Sequence, residues 1–103
     1  MTERGEFRIR WTLGAASDIE QILDYIEKDS PLAAVNFGEG LSRHIEQLAK
    51  FPLSCAVSPK HPRVRESLYE SHIVYYLVGK NEIVIKAIVH GAWQFLAKWL
   101  RRR

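Results

Sequence analysis

The stretch HIVYYLVGKNEIVIKAIVH, residues 72–90, decides the fold of this chain. Two runs rich in β-branched and aromatic side chains, 72–78 and Glu82–His90, flank Gly79-Lys80-Asn81, which is typical of a turn. The pattern predicts a β-hairpin. Both strands are apolar on both faces, so we expect one face to pack on helices. The other face must be covered by another segment or serve as a binding surface.

Period-two alternation assigns the side chains of the second strand to the two faces of this hairpin. We expect one face to carry Ile83, Ile85, Ala87 and Val89, and the other to carry Val84, Ile88 and His90. On the first strand Tyr75 and Tyr76 must point in opposite directions. One tyrosine is therefore expected in the core and the other on the outside.

Two amphipathic helices are predicted upstream of the hairpin. Apolar residues recur at helical spacing over 13–28, after Thr12 as a capping residue. Lys28, Asp29 and Ser30 interrupt that pattern. Ser30-Pro31 is typical of a new helix start, and the second helix is predicted to run to about Ala49. The short break between them predicts a helical hairpin.

Shorter strands complete the predicted fold. Phe7, Ile9 and Trp11 alternate with polar residues and predict an N-terminal strand, and another strand is predicted near Val64–Leu68 after a loop over 53–62. The order β-α-α-β-β-β indicates an α+β fold with one mainly antiparallel sheet and the helices on one face. We expect a single domain over residues 1–103, with its core in 7–91.

Composition restricts the class of protein. The chain has 103 residues, 47% hydrophobic and 26% charged, which is typical of a globular protein rather than a disordered one. Its net charge of +3 permits an acidic protein or nucleic acid as a partner but requires neither. The lone Cys55 excludes an internal disulfide, and the four histidines lack ligand spacing, so no metal or cofactor is expected.

The sequence shows no pattern typical of a targeting signal or a membrane span. The polar start Met1–Glu6 does not resemble a signal peptide, and no run approaches the roughly 20 apolar residues that span a bilayer. We therefore expect a cytoplasmic protein without a membrane span.

Several segments together resemble the ParE/RelE toxin superfamily of bacterial toxin–antitoxin systems. TLGAASDI, residues 12–19, resembles the entry to the first helix of these toxins, and Leu48 with Phe51-Pro52 resembles the exit from the second. Arg65 with SHIVYY, residues 71–76, is similar to their arginine-bearing strand and the strand after it. Ile83–Gly91 is similar to their last core strand. The resemblance covers roughly residues 7–91.

The resemblance implies a cognate antitoxin, encoded beside the toxin, whose C-terminal segment wraps the toxin and neutralises it in a hetero-oligomer. It also implies a target. ParE-like members block DNA gyrase, whereas RelE-like members cut messenger RNA on the ribosome. DNA binding in such systems belongs to the antitoxin, so direct sequence-specific DNA binding is not expected of this chain.

A metal-free ribonuclease needs a general base, cations that stabilise the phosphate and a general acid. The candidates are Arg63, Arg65, His72, Tyr75, Tyr76 and His90. After His90, however, the chain continues Gly91-Ala92-Trp93. RelE-like enzymes typically carry a C-terminal tyrosine or a His-Tyr pair, and in many relatives a basic or acidic pair follows the His-Gly step. A non-enzymatic ParE-like toxin is therefore the leading hypothesis. The alternatives are a RelE-like endonuclease and an inactive homologue that acts only in the antitoxin complex and in operon autoregulation.

An acidic, amphipathic antitoxin segment needs cations and apolar contacts on the toxin. The candidate partner-binding residues are Arg8, Arg10, Arg65, Lys86, Trp93 and Trp99. Alternatively, Arg65 is an exposed strand arginine or forms a structural salt bridge with Glu66 or Glu70. In the tail 92–103 apolar residues fall on one helical face before three arginines, which predicts a C-terminal helix. It packs on the open sheet face, contacts the antitoxin or a second copy, or touches membrane or nucleic acid.

Overall fold

The computed structural model describes residues 6–91 and confirms the predicted α+β architecture. Its elements are β1 (Arg8–Trp11), α1 (Leu13–Asp29), α2 (Pro31–Lys50), β2 (Arg65–Tyr69), β3 (His72–Val78) and β4 (Glu82–His90). The predicted C-terminal helix in 92–103 lies outside the described residues.

One residue, Ser30, separates the two helices. Its backbone N–H donates to the carbonyl of Ile26 at the end of α1, and its Oγ accepts from the N–H of Ala33 at 3.1 Å at the start of α2. Pro31, at the first helical position, has no N–H to leave unpaired. The break between the helices is therefore one residue long, where the sequence predicts three, and the helices form a tight hairpin.

The four strands form one sheet in the order β1-β4-β3-β2. The predicted hairpin, β3 and β4, occupies the centre and is antiparallel, and β2 is antiparallel to β3. β1 runs parallel to β4, with Arg8 opposite Glu82 and Trp11 opposite Ile85. The two short strands β1 and β2 are thus the two edges of the sheet.

A β-bulge interrupts the pairing of the two central strands. Tyr75 lies opposite Ala87 and Tyr76 opposite Ile85, which leaves Lys86 as the extra residue of β4. One extra residue reverses the facing of every side chain that follows it. The predicted strict alternation along β4 is therefore wrong after residue 85.

The two hydrophobic clusters of the sheet reflect the change of facing at the bulge. Ile83 and Ile85 pack on the helix side together with Ile88, whereas Ala87 and Val89 belong to a separate cluster on the opposite face. We call that opposite face the second face of the sheet. Its cluster consists of Val64, Ile73, Tyr75, Leu77, Ala87 and Val89.

The two tyrosines of β3 point in opposite directions, as predicted, but both are buried. Tyr76 lies in the helix-side core, where its hydroxyl donates to the carbonyl of Pro52 at 2.9 Å. Tyr75 lies in the cluster on the second face and is only 1% exposed. The expectation of one outward-facing tyrosine was wrong because the second face also buries apolar side chains.

Thr12, the N-cap residue of α1, and Asp18, within α1, bind the backbone of β4 on either side of the bulge. The Oγ1 of Thr12 donates to the carbonyl of Ile85 at 3.0 Å. The carboxylate of Asp18 accepts from the N–H of Ile88 at 3.0 Å, and Asp18 is buried. The sequence pattern had placed Asp18 among the polar positions around the helix. Its burial is instead balanced by this hydrogen bond.

Replacing Asp18 with alanine should remove the acceptor that this carboxylate provides to the buried N–H of Ile88. A buried donor left unsatisfied costs about 1–3 kcal/mol, so the free energy of unfolding of Asp18→Ala should fall by about that amount. Urea unfolding at neutral pH measures it. Glu20→Ala, at an exposed position of the same helix, is the control. Equal stability of the two variants would contradict the structural role of Asp18.

Candidate functional site

The outer edge of the sheet at β1 is open. The N–H of Arg8 donates to Asn81 and that of Thr12 donates to Ile85, both toward β4. Ile9 and Trp11, which alternate with them, therefore direct their backbone N–H and C=O groups away from β4. Among residues 6–91, no other strand pairs with that side of β1. An extended segment of another protein can add a strand there.

An apolar groove of about 320 Å³ lies between β1 and the helical hairpin. We call it the edge groove. Its lining residues are Ile9 and Trp11 of β1, Ala16, Ile19 and Leu23 of α1, and Gly38, Leu41, Ser42, Ile45 and Glu46 of α2. The side chains of β1 in this groove, Ile9 and Trp11, are each 37% exposed. The groove therefore offers apolar contact area directly beside the open backbone edge.

Arg8 and Arg10 alternate with the groove-lining residues of β1 and therefore project from the other side of the strand. Both are exposed. The guanidinium of Arg10 forms an ion pair with Glu82, with 3.3 Å between Nη2 and Oε2. Because this ion pair is exposed to solvent, it contributes little free energy. The carboxylate of a binding partner can therefore replace Glu82 with little loss. The two arginines thus provide positive charge along the same open edge.

The remaining candidate partner-binding residues lie elsewhere. Arg65 is on β2, at the opposite edge of the sheet, and its guanidinium donates to the carbonyl of Cys55. The alternative role of Arg65, a salt bridge with Glu66 or Glu70, does not appear among the ion pairs of residues 6–91. Lys86 is the half-buried bulge residue of β4. Trp93 and Trp99 lie outside the described residues. Lys86 is on the strand that pairs with β1, and its carbonyl accepts from the Oγ1 of Thr12 at 3.4 Å, whereas Arg65 is at the far edge of the sheet.

The candidate ribonuclease residues are spread over the sheet. Arg65 lies opposite Tyr76, whereas His90 lies opposite His72, and a rise of four residues along β3 places those positions about 13 Å apart. Tyr75 points to the second face, and burial, together with the charge of Glu66, raises its pKa to about 12. Arg63 lies in the loop before β2. Among these candidates, all within residues 6–91, the structure pairs Arg65 with Tyr76 and His72 with His90, so it does not gather the six residues at one place.

A second groove, of about 540 Å³, lies where β3 begins and β4 ends. We call it the end groove. The rings of His72 and His90 meet there edge to face, 5.1 Å apart, and Phe37 packs on His72 at 5.2 Å. The Nδ1 of His72 is buried and finds no hydrogen-bond partner among residues 6–91. Burial lowers the pKa of His72, and the neighbouring His90 lowers it further. The groove therefore favours neutral imidazole.

Neither a metal centre nor a membrane span emerges from the described residues. Within 6–91, no three histidine, cysteine, aspartate or glutamate side chains come together as a ligand set. Neither α1 nor α2 combines the length and apolarity that crossing a bilayer requires.

The lowered pKa of His72 predicts that acid destabilises the fold. Between the lowered pKa of folded His72 and the ordinary histidine pKa of 6.5 the unfolded chain binds more protons, so stability is lost as pH falls through that window. The urea midpoint should be lower at pH 5.5 than at pH 7.5. In His72→Gln the difference should shrink without vanishing, because burial also lowers the pKa of His44. An NMR titration of the His72 imidazole with a midpoint at or above 6.5 would contradict this account.

The sequence matches a known protein family and a curated relative. The family model described as "ParE toxin of type II toxin-antitoxin system, parDE" matches residues 9–95. A curated relative from Sinorhizobium fredii (strain NBRC 101917 / NGR234), named as a candidate toxin, Y4kP, is 43% identical over 47 residues. That match covers 46% of this chain and 49% of the relative, so the chain matches about half the length of that protein.

A solved structure supports the fold. A chain of the chromosomal ParDE toxin–antitoxin system from P. aeruginosa superposes with a TM-score of 0.73 over 85% of this chain and 99% of its own length. The two sequences are 24% identical, so this likeness is one of architecture.

Proposed function

The chain belongs to the ParE toxin family of type II toxin–antitoxin systems, and from this membership we propose that it is neutralised by a cognate antitoxin seated at β1. The observation that carries the proposal is the coincidence of three features at one edge. These are the open backbone of Ile9 and Trp11, the apolar edge groove, and the exposed Arg8 and Arg10.

Each feature selects a property of the bound segment. The open backbone of β1 favours an extended segment that pairs as an added strand. The groove accepts apolar side chains beside Ile9 and Trp11. Burial of these apolar side chains contributes most of the favourable free energy of binding. The arginines pair with carboxylates, and charge-assisted hydrogen bonds of this kind give specificity and fast association. We therefore expect an antitoxin segment that is extended, acidic and apolar at alternate positions.

Trp11→Ala should weaken antitoxin binding by at least about tenfold, because a partly exposed tryptophan in an apolar groove is a typical hot spot of an interface. The ligand is the protein encoded by the adjacent reading frame, and titration calorimetry measures its affinity. Leu68→Ala is the matched control, since Leu68 is an exposed apolar residue on the opposite edge strand. Thermal unfolding establishes that both variants fold. Equal affinities of the two variants would exclude the edge groove as the antitoxin site.

For the target we propose DNA gyrase, which the toxin inhibits by binding and not by catalysis. We further propose that this takes place in the cytoplasm. Membership in the ParE family supports this assignment. The spread of the nuclease candidates supports it further, since Arg65, Tyr75 and His90 lie on different faces or ends of the sheet. A toxin that acts by binding needs an exposed contact surface rather than an acid–base pair.

The purified chain should inhibit supercoiling of relaxed plasmid by gyrase, and a molar equivalent of the antitoxin should restore the activity. Ribosome-bound transcripts in a parallel reaction should stay intact. Cleaved transcripts with undisturbed supercoiling would instead establish a RelE-like endonuclease. Folded protein without effect in either reaction, and without effect on growth when induced alone, would establish an inactive homologue.

A further inference from the structure

The helix α2 contains two glycines, Gly38 and Gly40, although glycine is among the weakest helix formers. Glycine in the interior of a helix is destabilising relative to alanine, because its backbone loses more conformational freedom when the chain folds. Each of the two positions therefore calls for a physical reason, which either packing within the chain or binding of a partner can supply.

Packing within the chain explains Gly40. A methyl group at this position would collide with the hydroxyl of Tyr69 on β2. That hydroxyl is held in place, since it donates to the carbonyl of Phe37 at 3.1 Å and the ring of Tyr69 packs edge to face on the ring of Phe37. Gly40 therefore makes room for Tyr69.

No comparable contact explains Gly38 among residues 6–91. Outside its own helix, a methyl group at Gly38 would have one neighbour within 4 Å, the Cδ2 of Leu23 at 3.8 Å, which is an ordinary van der Waals contact. The backbone at Gly38 is helical, so alanine can adopt it. The described fold thus has room for a side chain at Gly38.

Gly38 lines the edge groove, and its missing side chain makes that groove deeper. The lining residues form one stripe along each helix. Leu23 on α1 and Gly38 on α2 are those closest in sequence to Ser30, so they form the end of the groove nearest the turn between the helices. The polar lining residues of α2, Ser42 and Glu46, lie further from that turn. The space beside Gly38 is therefore apolar.

We propose that Gly38 is a specificity-determining residue for the antitoxin, because its missing side chain leaves space for a large aliphatic or aromatic side chain of the bound segment. The inference rests on the antitoxin site proposed at β1. Burial of an apolar side chain in this space adds affinity, whereas a segment with a small or charged residue at the matching position lacks that contribution. Binding then offsets the lower stability that glycine gives to α2.

Stability and affinity should therefore change in opposite directions at Gly38. Gly38→Ala should raise the Tm of the free, full-length chain by roughly 2–8 °C, because alanine favours the helix. The same variant should bind the protein encoded by the adjacent reading frame several-fold more weakly. Gly38→Leu should bind it at least about tenfold more weakly, since the larger side chain occupies the space. Thermal unfolding and titration calorimetry measure the two quantities.

Two control variants separate this effect from a general effect on α2. Asn36→Leu adds the same side chain at an exposed position of α2 outside the groove, and it should leave the affinity unchanged. Gly40→Ala should lower the Tm, because the added methyl group meets Tyr69. If Gly38 had only a structural role of that kind, Gly38→Ala would lower the Tm as well.

Three results would overturn the proposal. A lower Tm of both Gly38→Ala and Gly38→Leu without antitoxin would show that the chain itself fills the space. A dimer of the free chain that Gly38→Leu dissociates would assign the space to a second copy. Unchanged affinity of Gly38→Leu together with weaker binding of Trp11→Ala would exclude Gly38 while the site at β1 stands. Unchanged affinity of both variants would exclude the site as well.

Discussion

The structure depends on the attachment of α1 to β4 at the bulge around Lys86. Thr12 bonds the carbonyl of Ile85 before the bulge, and Asp18 bonds the N–H of Ile88 after it. The two bonds hold the first turns of α1 against the one irregular point of the sheet. Since Thr12 directly follows β1, they also hold β1 parallel to β4. The position of the open edge, and hence of the edge groove, follows from this attachment.

Local patterns in the sequence predict most of the secondary structure, but the bulge is not predictable from them. Caps, such as Thr12 and the Ser30-Pro31 pair, act on neighbouring residues and are therefore visible in the sequence. The two registers of β4 bury equally apolar residues, so hydrophobicity does not choose between them. The one available signal is Lys86, a charge inside an apolar run. Asp18 is unpredictable for a related reason, because its acceptor role depends on a backbone amide 70 residues away.

The candidate site was predictable in part. The alternation in β1 predicts Arg8 and Arg10 as cations on a strand, and they lie at the open edge. The sequence gives no reason to separate Arg65 from them, yet Arg65 lies two strands beyond β4 and donates to the carbonyl of Cys55. The strand order β1-β4-β3-β2 places Arg65 at the opposite edge of the sheet from Arg8 and Arg10. A sequence gives the order of strands along the chain, whereas parallel pairing of β1 with β4 requires contacts across the whole domain.

An open edge strand beside an apolar groove invites pairing with any extended chain, including a second copy of the same protein. The arginines of β1 oppose that outcome. Two copies pairing through β1 bring Arg8 and Arg10 of each chain close to those of the other, and like charges across a strand pair are destabilising. An acidic segment meets the same positions with opposite charge, so the edge discriminates between self-association and the proposed antitoxin. The ion pair between Arg10 and Glu82 supports this reasoning, because it already shows that a carboxylate satisfies the guanidinium at this edge.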